Sequence, residues 1–395
     1  MKRPLMDVLV IGAGMYVCGR GTSGFGTVLP ALIEAHRDGL VGRILIAATK
    51  ASSIKSVNKK LYSLNRKLGT SVKIKGFPSK GENKKSYLEA LQELKLPACV
   101  IVVVPDHLHF SIAKEVIQRR LPLMITKPLT PILSEGKQLV NLAKKLGVYG
   151  VVDFHKRWDW ANLKLCEAVR EERLGKLLYG MIEYSQRRNI PEKMFRGWVH
   201  KTNVFQYLGV HYVDIIAYAL NARPKRAMAV GQYGHLKKSS IQTYDSIEAF
   251  VEWDLPGSTT PFLSAFLTNW IDPDKTSAMS YQSLKLIGTR GRYESDQKNR
   301  GLQLITEQDG IQDINPYFVQ TFPAPSGTHS TFKGYGIDSI RTFLEDVRAL
   351  YEKEKMPADL ELCRPTLRQA LISTAVVEAV NGSLASDSQW ISVKH

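Results

Sequence analysis

Through the first 150 residues, short apolar runs alternate with segments of helical periodicity. Residues 7–11, 43–48, 99–104, 123–126 and 148–154 are compact, β-branched and apolar, the pattern of strands buried on both faces. Between them, 27–36, 84–95, 111–120 and 134–146 carry apolar residues at helical spacing, such as Leu88, Leu91 and Leu94. This alternation predicts a doubly wound parallel sheet covered by helices, occupying residues 1–154. After about residue 155 the pattern changes. Residues 177–185, 227–234, 246–253, 261–270, 283–287 and 302–307 read as longer strands, several alternating apolar and polar positions. They predict a large, mostly antiparallel sheet, with a helix at 209–220 before most of its strands and helices at 337–352 and 364–380 closing the chain. The expectation is an α/β protein of two domains, 1–154 and 155–395.

Composition narrows the class. The chain has 395 residues, 44% apolar and 23% charged, which suits two folded domains. No apolar run approaches the roughly 18 residues that cross a bilayer, which argues against a membrane protein. Residues 1–7 run straight into the first strand with no leader-like segment. Cys18, Cys99, Cys166 and Cys363 are scattered and form no Cys-x-x-Cys pair. That predicts neither a metal site nor a disulfide framework, and a reducing, cytoplasmic setting. Lys+Arg 54 against Asp+Glu 37 gives a net charge of +17, which favours anionic partners. The charge is densest over 50–85, but no helix-turn-helix, zinc-finger or RNA-recognition signature accompanies it. The balance points to a small anionic molecule rather than a nucleic acid.

Gly12-Ala13-Gly14-Met15 follows the first strand. Glycine there lets the backbone approach a pyrophosphate, so Gly12, Gly14 and Met15 are expected to touch a dinucleotide. A third glycine is expected at position 17, where this chain has Val17. Gly19, Gly21, Gly24 and Gly26 follow instead, and the loop is longer than usual. The second strand ends Thr49-Lys50-Ala51-Ser52-Ser53 with no acid to hold ribose hydroxyls. A cation and hydroxyls suit a 2′-phosphate better, so Thr49, Lys50 and Ser52 predict NADP, with NAD still possible. Pro105-Asp106-His107-Leu108-His109 and Thr126-Lys127-Pro128 lie at the carboxyl ends of two further strands, where open sheets bind ligands.

Taken in order, these motifs resemble the Gfo/Idh/MocA family of NAD(P)-dependent oxidoreductases. That family shows a strand and Gly-x-Gly, then T-P-N-x-x-H, then E-K-P, then G-x-H-x-x-D in a second domain. Here Pro105 and His109 match, with Asp106 for the usual Asn. Lys127-Pro128 match, with Thr126 for the usual Glu. Gly209, His211 and Asp214 match the last motif; the segment from Asp153 to Trp158 and the Gly288–Gly291 turn are similar as well.

The resemblance implies a Rossmann domain followed by a substrate and oligomerisation domain, in a homodimer or homotetramer. It implies a secondary alcohol of a sugar, cyclitol or sugar derivative interconverted with its ketone. Pro105, His109, Lys127 and Pro128 would also lie at the cofactor. His211 is the expected acid/base, because imidazole titrates near neutrality. Lys127, partly desolvated, would steady the reacting oxygen. Lys156 and Arg157, with Arg187, Arg188, Arg196 and Lys201, would suit an anionic substrate. Many relatives place an Asp four residues before the histidine, and Tyr207 stands there in this chain. Tyr207 is therefore a third expected catalytic and substrate contact, in an altered relay. The alternative is a non-catalytic NADP(H)-binding sensor on the same fold.

Overall fold

A computed structural model describes residues 4–324 and 327–394; the first three residues of the expected 1–7 lead-in lie outside it. Strands β1 (Met6–Ile11), β2 (Val41–Ala47), β3 (Ile74–Phe77), β4 (Ala98–Val102), β5 (Leu123–Thr126) and β6 (Gly150–Asp153) form one sheet. Its order is β3-β2-β1-β4-β5-β6 and every pairing is parallel. The order reverses direction between β1 and β4, the point at whose carboxyl strand ends open sheets of this kind bind ligands.

The chain divides into two units. The first takes residues up to Leu129, then Ser134–Trp158 and Tyr317–Gln369; the second takes Thr130–Leu133, Asp159–Pro316 and the chain from Ala370. The expected cut at 154 therefore moves to Trp158, and 317–369 returns to the first unit. The physical reason is the helix Tyr335–Tyr351. Its Ile337, Ile340, Phe343, Leu344 and Val347 share one core with Val8 and Val10 of β1 and Leu29, Leu32 and Ile33 of the helix Val28–Arg37. Burying each such side chain contributes about 1.5–3 kcal/mol. A helix with this apolar face is far more stable against the parallel sheet than in water.

Among the elements of the first unit that were not expected are a long helix and an edge strand. The helix Ala51–Leu68 buries Ile54, Val57, Leu61, Leu64 and Leu68 at spacings of three and four. It leads to β3, the short edge strand.

In the second unit, β7 (Leu177–Arg187), β8 (Arg223–Gln232), β9 (Ser246–Asp254), β10 (Phe262–Asp272), β11 (Ser280–Gly288), β12 (Arg292–Asp296) and a two-residue β17 (Ile391–Ser392) make a mixed sheet. The order is β12-β11-β7-β10-β9-β8-β17; β10 and β7 are parallel and the other pairs antiparallel. The helices Val210–Leu220 and Leu371–Leu384 pack together, the latter also against β8. Alternate residues leave Tyr179, Met181, Val230, Leu263 and Leu267 exposed on the sheet. The expected strand at 302–307 is instead half of a separate hairpin, β13 (Gln303–Thr306) with β14 (Gly310–Asp313). A second hairpin, β15 (Gln320–Pro323) with β16 (Ser330–Lys333), belongs to the first unit.

Candidate functional site

The glycine turn after β1 is shaped by two different needs. Gly12 has φ +130°, and a Cβ there would fall 2.0 Å from the Val103 carbonyl oxygen. Its backbone is thereby drawn tight against the end of β4. At Gly14 a Cβ would meet nothing within 4 Å, so the backbone faces open space where a pyrophosphate can approach. Met15–Cys18 makes one helical turn and stops at Gly19 in the left-handed region. Val17, in the place of the third glycine, is fully buried. The long loop then returns to Thr27, and Lys60 holds it by donating to the Thr22 oxygen at 2.9 Å and the Gly24 oxygen at 2.6 Å.

At the end of β2, Thr49, Lys50 and Ser52 are exposed, as a cofactor contact requires. Arg20, from the glycine loop, donates to Ser53 Oγ at 2.7 Å and adds a cation to this group. Glu82, from the segment after β3, lies 3.4 Å from Lys50 Nζ. An acid from elsewhere in the chain thus stands beside the strand end, paired with the lysine.

His109 is 0% exposed. Nδ1 lies 2.8 Å from the Pro128 oxygen and Nε2 3.0 Å from the Val104 oxygen. Burial lowers its pKa, against an upward pull from Asp106 and the three carbonyls. His109 therefore ties the turn after β4 to the turn after β5. Fully enclosed, its ring offers no surface to a cofactor as the side chain stands, unlike the expected contact.

Lys127 follows β5, at a cis bond to Pro128. Loss of hydration pulls its ammonium down to about 7, while Asp106 and Asp153 pull it up. Asp153 ends β6 and is the register partner of Thr126, one residue from Lys127. Both Asp153 oxygens accept hydrogen bonds, Oδ2 from Tyr16 at 2.6 Å and Oδ1 from Ser339 at 2.5 Å. Burial alone would raise its pKa; bonds and charge from His155, with those of Ser339 and Tyr16, outweigh burial and keep it ionised. The Tyr16 oxygen lies 3.3 Å from His155 Nδ1, so with its own proton on Asp153 it accepts from an Nδ1–H imidazole. Tyr335 stacks on His155, with Phe318 tilted against both rings. Burial lowers the His155 pKa despite Asp153, with Lys156 and Lys127 adding to the drop.

Lys156 and Arg157, the expected substrate cations, are 1% and 7% exposed. Arg157 donates to Gln369 Oε1 at 2.6 Å, which gives it a structural task within its own unit. Both are buried as the side chains stand, unlike the exposed Arg188, Arg196 and Lys201.

In the second unit, His211 sits in the first turn of the helix Val210–Leu220 and is 3% exposed. The wide turn Phe205–Gly209 precedes it. Asn203 holds this turn by accepting from the Gln206 N–H at 2.9 Å and donating to Asn381 at 2.7 Å. Tyr207 is half-buried in a ring cluster, with centroids 4.8 Å from Phe195, 5.7 Å from Trp270 and 6.2 Å from Trp198. Tyr184 lies 6.3 Å from the His211 ring. Burial raises the Tyr184 pKa, with Tyr207 adding to it. Arg188, Arg196 and Lys201 are exposed, whereas Arg187 donates to Thr276 Oγ1 at 3.0 Å.

Residues 6–154 match the profile of the Gfo/Idh/MocA family, described as an oxidoreductase family with an NAD-binding Rossmann fold. These residues belong to the Gfo/Idh/MocA family. An uncharacterized oxidoreductase of Escherichia coli, YhhX, is 29% identical over 130 residues, 32% of this chain and 37% of its own. The scyllo-inositol 2-dehydrogenase (NADP(+)) IolW of Bacillus subtilis is 30% identical over 119 residues, 29% of this chain and 32% of its own. The matches thus span about a third of the length of these relatives. The whole chain shares the fold of an inositol dehydrogenase homolog from Azotobacter vinelandii, solved with NADH and myo-inositol. The TM-score is 0.70 at 15% identity, covering 99% of this chain and 98% of that one.

Within the Gfo/Idh/MocA domain, the residues that motif reading missed are Arg20, Tyr16 and Glu82, and beyond its end at 154, His155, Tyr335 and Ser339. Tyr16 stands directly after the Gly-x-Gly-x run, and Asp153 closes the last parallel strand, so position alone marks both. Ser339 carries no local signal; it reaches Asp153 across 186 positions of chain.

Proposed function

We propose that the chain is an NAD(P)-dependent dehydrogenase that interconverts a secondary alcohol and a ketone on a sugar, cyclitol or related substrate. The observation that carries this reading is Lys127, at the carboxyl edge of a Gfo/Idh/MocA sheet, with burial pulling its ammonium down to about 7 against the upward pull of two buried carboxylates. Gly12 and Gly14 fit the pyrophosphate, the first through tight packing and the second through open space above its Cα. Bound nicotinamide supplies the site that accepts or gives the hydride.

In this mechanism Lys127 donates a hydrogen bond to the substrate oxygen, which favours build-up of charge there. His211 takes the hydroxyl proton during oxidation and returns it during reduction. Tyr207 offers a phenol that orients the same substrate group. The exposed Arg188, Arg196 and Lys201 favour substrates bearing a carboxylate or phosphate.

NADP is the proposed cofactor. Arg20, Lys50, Ser52 and Ser53 supply cations and hydroxyls suited to a 2′-phosphate, with Glu82 balancing part of the charge. The exposed apolar face of the second sheet supports a homodimer or homotetramer. No helix among the described residues is long and apolar enough to cross a membrane. The wide scatter of the four cysteines along the sequence supports the proposed cytoplasmic setting.

The test is NADP⁺ reduction with a panel of cyclitols, sugars and sugar acids. Turnover that disappears in Lys127→Ala and His211→Ala supports the reading. Tight NADP(H) binding without turnover on any of them favours the sensor instead.

A further inference from the structure

We propose that Asp153 is a positioning residue for Lys127, that Tyr16 and Ser339 clamp it for that task, and that the helix Tyr335–Tyr351 is therefore part of the site. The inference concerns the electrostatic setting of Lys127; only its consequence for turnover rests on the function proposed above.

The geometry is specific. β5 and β6 are parallel neighbours, and their register sets Asp153 level with Thr126. Asp153 is 2% exposed, and a carboxylate so enclosed takes up a proton unless donors hold its charge. Two hydroxyl donors do so, one on each oxygen, at 2.6 and 2.5 Å. Neither donor brings a positive charge. These two hydroxyls thus hold the carboxylate without cancelling its charge, where a guanidinium clamp would have neutralised it. The adjacent imidazole of His155 also helps to hold the carboxylate charge, although burial lowers its own pKa.

The charged groups that act on Lys127 are Asp106 from the turn after β4 and Asp153 from β6; Lys156, from the turn that follows β6, acts with Lys127 on His155. Burial favours the neutral amine and the two carboxylates favour the ammonium. Asp153 is the carboxylate whose state is set by residues remote in sequence. Ser339 is 1% exposed on a helix that contributes nothing to the Rossmann sheet itself, and Tyr16 leaves the glycine turn to reach the same carboxylate. The arrangement couples the cofactor loop, the last parallel strand and the returning C-terminal segment to one lysine.

The experiment measures pH-dependent acetylation of Lys127 by acetic anhydride, followed by peptide mass spectrometry, on the full chain without cofactor or substrate. Asp153→Asn should move the labelling midpoint down by about one pH unit, the lower end of the range for losing a close opposite charge. At a fixed pH below the midpoint, that is about tenfold faster labelling. Ser339→Ala should move it the same way by a smaller amount, because a less well held carboxylate is protonated more of the time. An unchanged or raised midpoint in folded Asp153→Asn overturns the proposal. Should that variant not fold, Ser339→Ala carries the test, and an unchanged midpoint there overturns it equally. Labelling reads Lys127 without turnover. A Lys127→Ala variant with full kcat would sink the catalytic reading while leaving a shifted midpoint, and the inference, standing.

Discussion

Gly12 and Gly14 stand two residues apart in one turn, and alanine at each should fail in a different way. At Gly12 the backbone has φ +130°, and the added Cβ would lie 2.0 Å from the oxygen and 2.8 Å from the carbon of the Val103 carbonyl. The conformation alone costs about 1–3 kcal/mol in a residue with a side chain. The overlap is with backbone, which cannot rotate away, and forcing β1 and β4 apart adds about 1–3 kcal/mol more. At Gly14 φ is −89°, open to any residue, and the Cβ meets nothing within 4 Å. Gly14→Ala should change stability by no more than about 1 kcal/mol, of either sign. The new methyl would nevertheless stand where the backbone is open to the pyrophosphate. Dinucleotide affinity should fall at least about tenfold, or about 1.4 kcal/mol. Urea unfolding midpoints and calorimetric titration with NADP(H) separate the two effects. The reasoning is refuted if Gly14→Ala binds NADP(H) like the wild type, or if it destabilises the chain as much as Gly12→Ala.

Three further outcomes follow from the geometry. Arg20→Ala should weaken NADP(H) binding by about 1–3 kcal/mol and leave NAD(H) binding nearly unchanged, and Glu82→Gln should strengthen NADP(H) binding; equal losses for both cofactors in Arg20→Ala would remove the 2′-phosphate assignment. Because burial lowers the Lys127 pKa to about 7, its ammonium is the major form below that pH and is lost above it; kcat/KM should fall as pH rises through that region, and a flat profile there argues against an ammonium donor. Arg300→Leu should cost about 3–5 kcal/mol in urea unfolding, since it removes the cation from the fully buried Asp159 carboxylate, which accepts from Arg300 Nη2 at 2.9 Å; a loss under about 1 kcal/mol would show that Gln297 and the Ala161 N–H satisfy it without the arginine.

The parallel sheet was legible because strands buried on both faces leave unbroken apolar runs; residues 123–126 were expected as a strand and are β5. The helix Ala51–Leu68 was hidden by its own outer face. Lys55, Lys59, Lys60, Arg66 and Lys67 make it read as a charge cluster, although its buried stripe is regular. The helix 337–352 was recognised within two residues of its observed bounds, but amphipathicity does not say which core an apolar face joins. That gap moved 317–369 from the second unit to the first. The same limit governed the site. Lys127 and the glycine turn lie where strands end, so local order betrays them. Ser339 and Arg157 take their roles from partners 186 and 212 positions away, which no local pattern encodes.

The central claim is that this chain moves a hydride between a nicotinamide and a secondary alcohol, with Lys127 and His211 handling the oxygen and its proton. The most direct test follows the absorbance of reduced nicotinamide when wild type and His211→Ala are mixed with NADP⁺ and each member of a cyclitol and sugar panel. The account predicts turnover on at least one member, lowered about 10²–10⁴-fold in His211→Ala, with cofactor affinity little changed. Turnover in His211→Ala near the wild-type rate on that same substrate would contradict it.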